Sequence, residues 1–312
     1  MTNISLWNNL DTQKRKYHNG GQKKNDRESE AYVMDIRFEK REHLKEKPDQ
    51  KHLGFGKYMT DYMFVMDWTK EEGWKDARIV PEGPITMDPA CVTLHYAQET
   101  FEGMKAYRTA EGKIQLFRPE MNAKRMINSN ARLCMPELPV DMFVEAVKAL
   151  VKVEEDWVPS EPETSLYIRP FMFATEAALG VHMASAYKFM IICCPVGAYY
   201  AEGINPVKIL VEDELVRAVK GGTGFTKCGG NYAGSILGQV KAEKMGYSQV
   251  LWLDGEHRKY VEEVGTMNIM FKIAGEIYTA PIEGTVLPGV TRDSMIHLLR
   301  DWGYKVNETR LS

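Results

Sequence analysis

The chain has 312 residues, 44% of them hydrophobic and 27% charged, with 40 Lys+Arg against 43 Asp+Glu and a formal net charge of −3. That length carries one large domain or two smaller ones, each with its own core. The near balance of charge gives no argument for nucleic-acid or membrane-surface binding, and no apolar run approaches bilayer length.

In chain order, residues 1–30 read as a polar, disordered or targeting arm, basic at Lys14, Arg15, Lys16, Lys23 and Lys24. Its scarcity of arginine and lack of an apolar face leave cytoplasm and mitochondrial matrix both open. Strands are expected at 58–68 and 90–96, and at 104–108 and 113–117 around the Glu111-Gly112 turn. A helix is expected over 122–135, stopped by Pro136. Asp141 reads as the N-cap of a second helix, 142–156, which has Phe143, Val147, Leu150 and Val151 on one face. The aperiodic, proline-containing stretch 158–164 reads as a domain linker.

Beyond it, strands are expected at 165–175, 187–195 and 207–211, then a helix over 231–245 closed by Gly246. Two hairpins follow, 248–253 with 260–264 and 267–273 with 276–280, and a last helix spans 291–302. Hairpins grouped between helices predict an α+β fold. The expected organisation is a small domain at 31–157, the linker at 158–164 and a large domain at 165–312. The five cysteines, Cys91, Cys134, Cys193, Cys194 and Cys228, form no CxxC pair and no metal-type spacing. They read as reduced thiols of an intracellular protein.

The chemistry concentrates in Lys220–Tyr232, where Gly221, Gly222, Gly224, Gly229 and Gly230 surround Lys227. A phosphate loop of the Walker type needs glycine before the lysine and Ser/Thr after it, but Thr226 precedes and Cys228 follows. The dinucleotide register fails as well. A solvated surface loop is the plain alternative. The third reading is a lysine that condenses with an aldehyde cofactor, which requires a lowered pKa.

Pyridoxal 5′-phosphate would need three further groups. A carboxylate for its ring nitrogen is on offer at Glu262-Glu263, a donor for its ring oxygen at Tyr232, and phosphate partners at Arg125 and the Leu287–Arg292 turn. Each alone is more often structural; their joint occurrence shifts the reading toward this cofactor.

The chain resembles the branched-chain amino-acid aminotransferases, fold type IV pyridoxal-phosphate enzymes. The motifs run from about Leu53 to Ser312 and include FEGMKAY at 101–107, SLYIRP at 165–170, KCGGNY at 227–232, EVGTMN at 263–268 and LPGVT at 287–291. Their form is most like animal-type members. The resemblance implies two α/β domains joined by a short linker, a homodimer, and ping-pong transamination of leucine, isoleucine and valine with 2-oxoglutarate. It makes Lys227 the Schiff-base lysine and proton shuttle, Glu263 the partner of the ring nitrogen, Tyr232 that of the ring oxygen and Arg125 that of the phosphate. Leu287, Gly289, Val290, Thr291 and Thr266 complete the cofactor site. Phe55, Tyr96, Phe101, Tyr167 and Tyr199 become aromatic walls of the substrate pocket, with Thr266 beside them and Arg169 for the distal carboxylate of glutamate.

Relatives of this kind continue past Ser312, with a Gly-Thr-Ala turn that binds phosphate and substrate carboxylate. The sequence is therefore expected to be a C-terminally shortened form that lacks part of the large domain. Two classes of function follow: an active aminotransferase, or an impaired short form that partners a full-length subunit. Within the fold, D-amino-acid aminotransferase and aminodeoxychorismate lyase are the runners-up, and Arg169 with its aromatic walls argues against both. Cys228 stands where relatives carry a larger apolar residue, and reads as a buried, inert thiol.

Overall fold

A computed structural model of the chain describes residues 34–197 and 205–312. The arm at 1–30 and Tyr199 lie outside the described residues.

The first half is organised by one large sheet. Its strands are β1 (Arg37–Phe38), β2 (Tyr62–Thr69), β3 (Gly73–Pro81), β4 (Glu99–Phe101), β5 (Met104–Arg108), β6 (Ile114–Leu116), β7 (Ser165–Ala174) and β8 (Ala186–Val196). They lie in the order β1-β3-β2-β8-β7-β5-β6, with β4 also paired to β7. Helices α2 (Pro119–Arg132) and α3 (Val140–Val153) follow β6 in the chain, and a short α1 (Val92–Tyr96) precedes β4. The apolar stripe of α3, with Phe143, Val147, Leu150 and Val151 all buried, packs into one core with Phe64, Leu166, Ile168 and Phe189 of the sheet. A smaller cluster, Met63, Val65, Phe173 and Met190, forms beside it. The alternation of these residues along β2 follows from the two-residue period of a strand.

The second half carries two smaller sheets. One joins β9 (Ile209–Glu212), β10 (Gln249–Leu253) and β11 (Val261–Val264); the other joins β12 (Met270–Ile273), β13 (Glu276–Thr279) and β14 (Val306–Glu308). Helices α4 (Gly229–Ala233), α5 (Ile236–Lys244) and α6 (Val290–Asp301) complete it. No helix among the described residues is long and apolar enough to cross a membrane.

Several expectations need correction. The stretch 158–164 is irregular but does not divide two folding units. Strands β7 and β8, expected in the large domain, pair with each other and flank β5 and β2 of the same sheet. Prolines can end a helix, but they carry no information about which sheet the chain next enters. Residues 90–96 form no strand: Asp88 accepts the N–H groups of Ala90 at 2.8 Å and Cys91 at 2.9 Å, and this turn starts α1. Asp141 lies in the first turn of α3 rather than at its N-cap, which is Pro139. The helix expected over 231–245 is broken after Ala233, where Gly234 weakens it and the Ser235 hydroxyl donates to the Tyr232 carbonyl at 2.7 Å. Strands β1, β3, β4 and β14 were not foreseen.

Candidate active site

The lysine loop lies between β9 and α4, pressed against the first half of the molecule. Asn231 staples it: its amide donates to the carbonyls of Thr223 and Thr226, both at 2.9 Å, and its oxygen accepts the Thr223 hydroxyl at 2.7 Å. Gly221 supplies a left-handed turn at φ 83°, which a side chain rarely tolerates. Two of the other glycines are required by close approaches of neighbouring groups. A Cβ at Gly224 would strike the Thr285 backbone, and one at Gly229 would strike the Glu99 carboxylate.

Two small contacts then fix Lys227 itself. Its N–H donates to the Ser129 hydroxyl of α2 at 2.9 Å, and its carbonyl accepts the Phe101 N–H of β4 at 2.9 Å. The side chain is buried, and that burial lowers its pKa to about 8. Nearby Arg125 and Arg169 push in the same direction, while Glu102 and Glu263 oppose them. The amine donates to the Tyr232 hydroxyl at 2.8 Å and lies 4.8 Å from the centre of the Phe101 ring. Burial raises the Tyr232 hydroxyl well above its usual range, so it stays protonated.

Lys227 faces a cleft of about 580 Å³, the size of a cofactor site. Arg125, Thr266, Leu287, Gly289, Val290 and Thr291 line it, as does Tyr167. Its lining includes four cations, Lys105, Arg125, Lys227 and Arg292, and no carboxylate. The N-terminus of α6 opens at this wall with Gly289 as its N-cap and no side-chain cap, leaving N–H groups for an anion. Tyr232 and Glu263 line a smaller adjoining cavity that shares Thr266 and Leu287 with the cleft. Glu263 is buried and accepts the Leu287 N–H at 2.8 Å and the Asn268 amide at 3.3 Å. Burial raises its carboxyl, while Arg217, 3.1 Å away, pulls it back.

The aromatic residues divide. Phe101 packs on Tyr232 at 4.8 Å between ring centres and under the Arg169 guanidinium at 4.6 Å. Tyr167 accepts a hydrogen bond from Arg169 at 2.8 Å and meets Phe55 edge-on at 4.9 Å. Among the described residues, the buried Arg169 Nε has no hydrogen-bond partner. Of these residues only Tyr167 lines the cleft; Phe55, Phe101, Arg169 and Tyr96 are not among its lining, and the Tyr96 hydroxyl accepts the Gly180 N–H at 2.9 Å.

Sequence reasoning missed Glu102, Ser129, Arg217 and Asn268. Glu102 and Asn268 fall inside quoted motifs, so a search for polar residues within them was open. Ser129 and Arg217 have no such signal, because each acts across a long stretch of sequence.

These features define a class: a lysine of lowered pKa facing a cation-lined cleft, on an α+β scaffold. The family model described as amino-transferase class IV matches residues 99–312. A Bacillus subtilis branched-chain-amino-acid aminotransferase 2 is 53% identical over 277 residues, covering 89% of this chain and 76% of that protein. The T.th. branched-chain amino acid aminotransferase solved with pyridoxamine 5′-phosphate superposes with a TM-score of 0.67 at 30% identity, covering 79% of this chain and 77% of that one. The enzyme from Thermobaculum terrenum in its PLP form gives 0.66 at 25% identity, covering 81% and 77%. The chain belongs to the branched-chain aminotransferases of class IV.

Proposed function

We propose that the chain transfers the amino group of leucine, isoleucine or valine to 2-oxoglutarate, with pyridoxal 5′-phosphate as cofactor. The observation that carries this reading is the Lys227 amine, buried, lowered to about 8 and 2.8 Å from the Tyr232 hydroxyl, at a cleft lined by cations and no carboxylate. The names of the relatives support the substrates, and their structures support the cofactor.

The residues present fit that cofactor. Arg125 and the N–H groups of Val290 and Thr291 would hold its phosphate, Glu263 its ring nitrogen and Tyr232 its ring oxygen. Leu287, Gly289 and Thr266 would bound the ring. Bound pyridoxal phosphate supplies a carbonyl carbon that takes up the amino group and a ring that accepts the electron pair released at Cα. Lys227 Nζ is the base that removes the Cα proton and returns it on the other side of the exchange. A pKa of about 8, lowered from 10.5, leaves roughly a fifth of that amine neutral near pH 7.4, against about a thousandth at the ordinary value. The Tyr232 O–H stays protonated and donates. Glu263 holds a negative charge where a protonated ring nitrogen needs one.

Phe55, Phe101 and Tyr167 supply apolar wall for a branched side chain. Arg169, with its unpartnered Nε, supplies the charge for the distal carboxylate of glutamate. One pocket thus serves an apolar and an acidic substrate in turn. A homodimer is supported by the exposed apolar residues Leu179, Val181 and Met183 on one loop. The free state of all five cysteines supports a reducing, intracellular setting.

The experiment is a borohydride trapping of the purified protein with pyridoxal phosphate, followed by peptide mapping and rate comparison. Label on Lys227 and faster transamination of leucine than of D-alanine are expected. Label elsewhere, or a preference for D-alanine, sinks the proposal.

A further inference from the structure

Beside the cleft, Glu102 is fully buried, with 0% of its surface exposed. It follows Phe101, whose N–H holds the Lys227 carbonyl. Its two oxygens take the Arg125 fork side-on: Nε reaches Oε1 at 2.8 Å and Nη2 reaches Oε2 at 2.8 Å. The Asn122 amide donates to Oε2 at 2.9 Å and fixes the carboxylate from the other side. The third nitrogen of the fork, Nη1, donates to the Pro288 carbonyl at 3.2 Å. A guanidinium has five N–H bonds; with three spoken for, two remain for the cleft that Arg125 lines.

Pro288 directly precedes Gly289, the N-cap of α6. The same guanidinium is thereby locked to Glu102 on one side and to the turn that opens α6 on the other. Two arms of an anion site, a cation and a helix N-terminus, are set relative to each other through one buried carboxylate. A bidentate pair fixes the plane of the fork as well as its position.

We propose that Glu102 is a positioning residue: it aims Arg125 at the cofactor phosphate, so that phosphate affinity depends on a buried negative charge. The proposal rests on Arg125 being the phosphate partner. Its sign is opposite to that of charge alone. A carboxylate near a phosphate repels it, so removing the charge without moving Arg125 would tighten binding. If Glu102 aims the fork, removing its charge weakens binding, although the site becomes more positive.

The test compares pyridoxal 5′-phosphate with pyridoxal, which lacks the phosphate, binding to the full chain and followed by visible absorption. For Glu102→Gln, affinity for the phosphate form is expected to fall about 10- to 100-fold, as for loss of a charge-assisted hydrogen bond. Affinity for pyridoxal should change by less than about 3-fold, since its contacts lie elsewhere. Tighter or unchanged phosphate binding overturns the proposal, and so does an equal loss for both ligands. Arg125→Ala separates the two ideas. If it leaves the ratio of the two affinities intact, the reading of Arg125 fails. If it collapses the ratio and Glu102→Gln does not, only the role of Glu102 fails. Should Glu102→Gln not fold, Asn122→Ala decides: a smaller loss confined to the phosphate form is expected, and an unchanged ratio overturns the proposal.

Discussion

Glu102 and Glu263 lie in different halves of the molecule, yet both are buried carboxylates that face an arginine across the site. Glu102, between β4 and β5, meets both prongs of the Arg125 fork at 2.8 Å. Glu263, on β11, meets Arg217 through a single 3.1 Å approach whose Nε is not aligned as a hydrogen bond. Burial raises the Glu263 carboxyl and the Glu262 charge adds to it, against the pull of Arg217, the Leu287 N–H and Lys227. In the first pair the carboxylate is satisfied within the protein and holds its arginine still, leaving two guanidinium N–H bonds for the cleft. The second leaves charge-stabilising capacity to spare, as a site must that is to hold a cationic ring nitrogen. A satisfied carboxylate positions its partner, and an unsatisfied one binds.

The largest expected effect comes from breaking the second pair. Glu263→Gln keeps the shape and removes the charge that a protonated ring nitrogen needs. Loss of a partner for a buried charge is worth about 3 kcal/mol, so turnover should fall about 100-fold or more. Cofactor affinity, carried mainly by the phosphate contacts, should change by less than about 10-fold. Near-normal turnover in a steady-state assay with leucine and 2-oxoglutarate would erase the distinction between the two glutamates.

A smaller effect should come from Ser129, one turn along α2 from Arg125. Its hydroxyl accepts the Lys227 N–H at 2.9 Å and donates to the Arg125 carbonyl at 3.1 Å. Ser129→Ala removes both hydrogen bonds; the one that holds the Lys227 backbone is worth about 1 kcal/mol, so turnover should drop about 5-fold, with rescue by Ser129→Thr. Loss of turnover in both variants alike would make the site a packing position and not a clamp on the lysine.

An effect on stability, with none expected on turnover, sharpens the comparison from outside the site. Glu154, 1% exposed at the end of α3, is a buried glutamate with no cation paired to it among the described residues. It accepts the Tyr62 N–H and lies near Asp61 and Cys193. Burial raises its carboxyl from 4.5 to about 7. The folded state thus holds this proton more tightly than the unfolded state. The resulting stabilisation is present below pH 4.5 and lost as pH rises through 7. Between pH 5 and pH 8 the loss should be about 2 kcal/mol, and Glu154→Gln should flatten it. Urea melts at the two pH values would measure it; an equal slope in the variant would show that Glu154 is already ionised at pH 5.

Much of the site was legible in the sequence. The glycine-flanked Lys227, the Tyr232 five residues on and the LPGVT turn are local patterns, and residue chemistry alone says what each can hold. Strand β5, expected over 104–108, has those same bounds, because two-residue alternation before a Glu-Gly turn is a local signal. The helix break at Gly234 is a local signal too, but in the sequence the longer periodic run outweighs it.

By itself, then, the sequence singled out the lysine proposed to react, the chemical types around it and the α+β class, since these depend on residue identity and on spacing within a few turns. Tertiary structure alone decided that β7 and β8 close the first sheet, that Glu102 takes the fork of Arg125, and that Ser129 holds the backbone of Lys227 from 98 residues away. Those pairings depend on which strands lie side by side. Sheet order is set by burial of the whole apolar surface at once, so no short stretch of chain carries it.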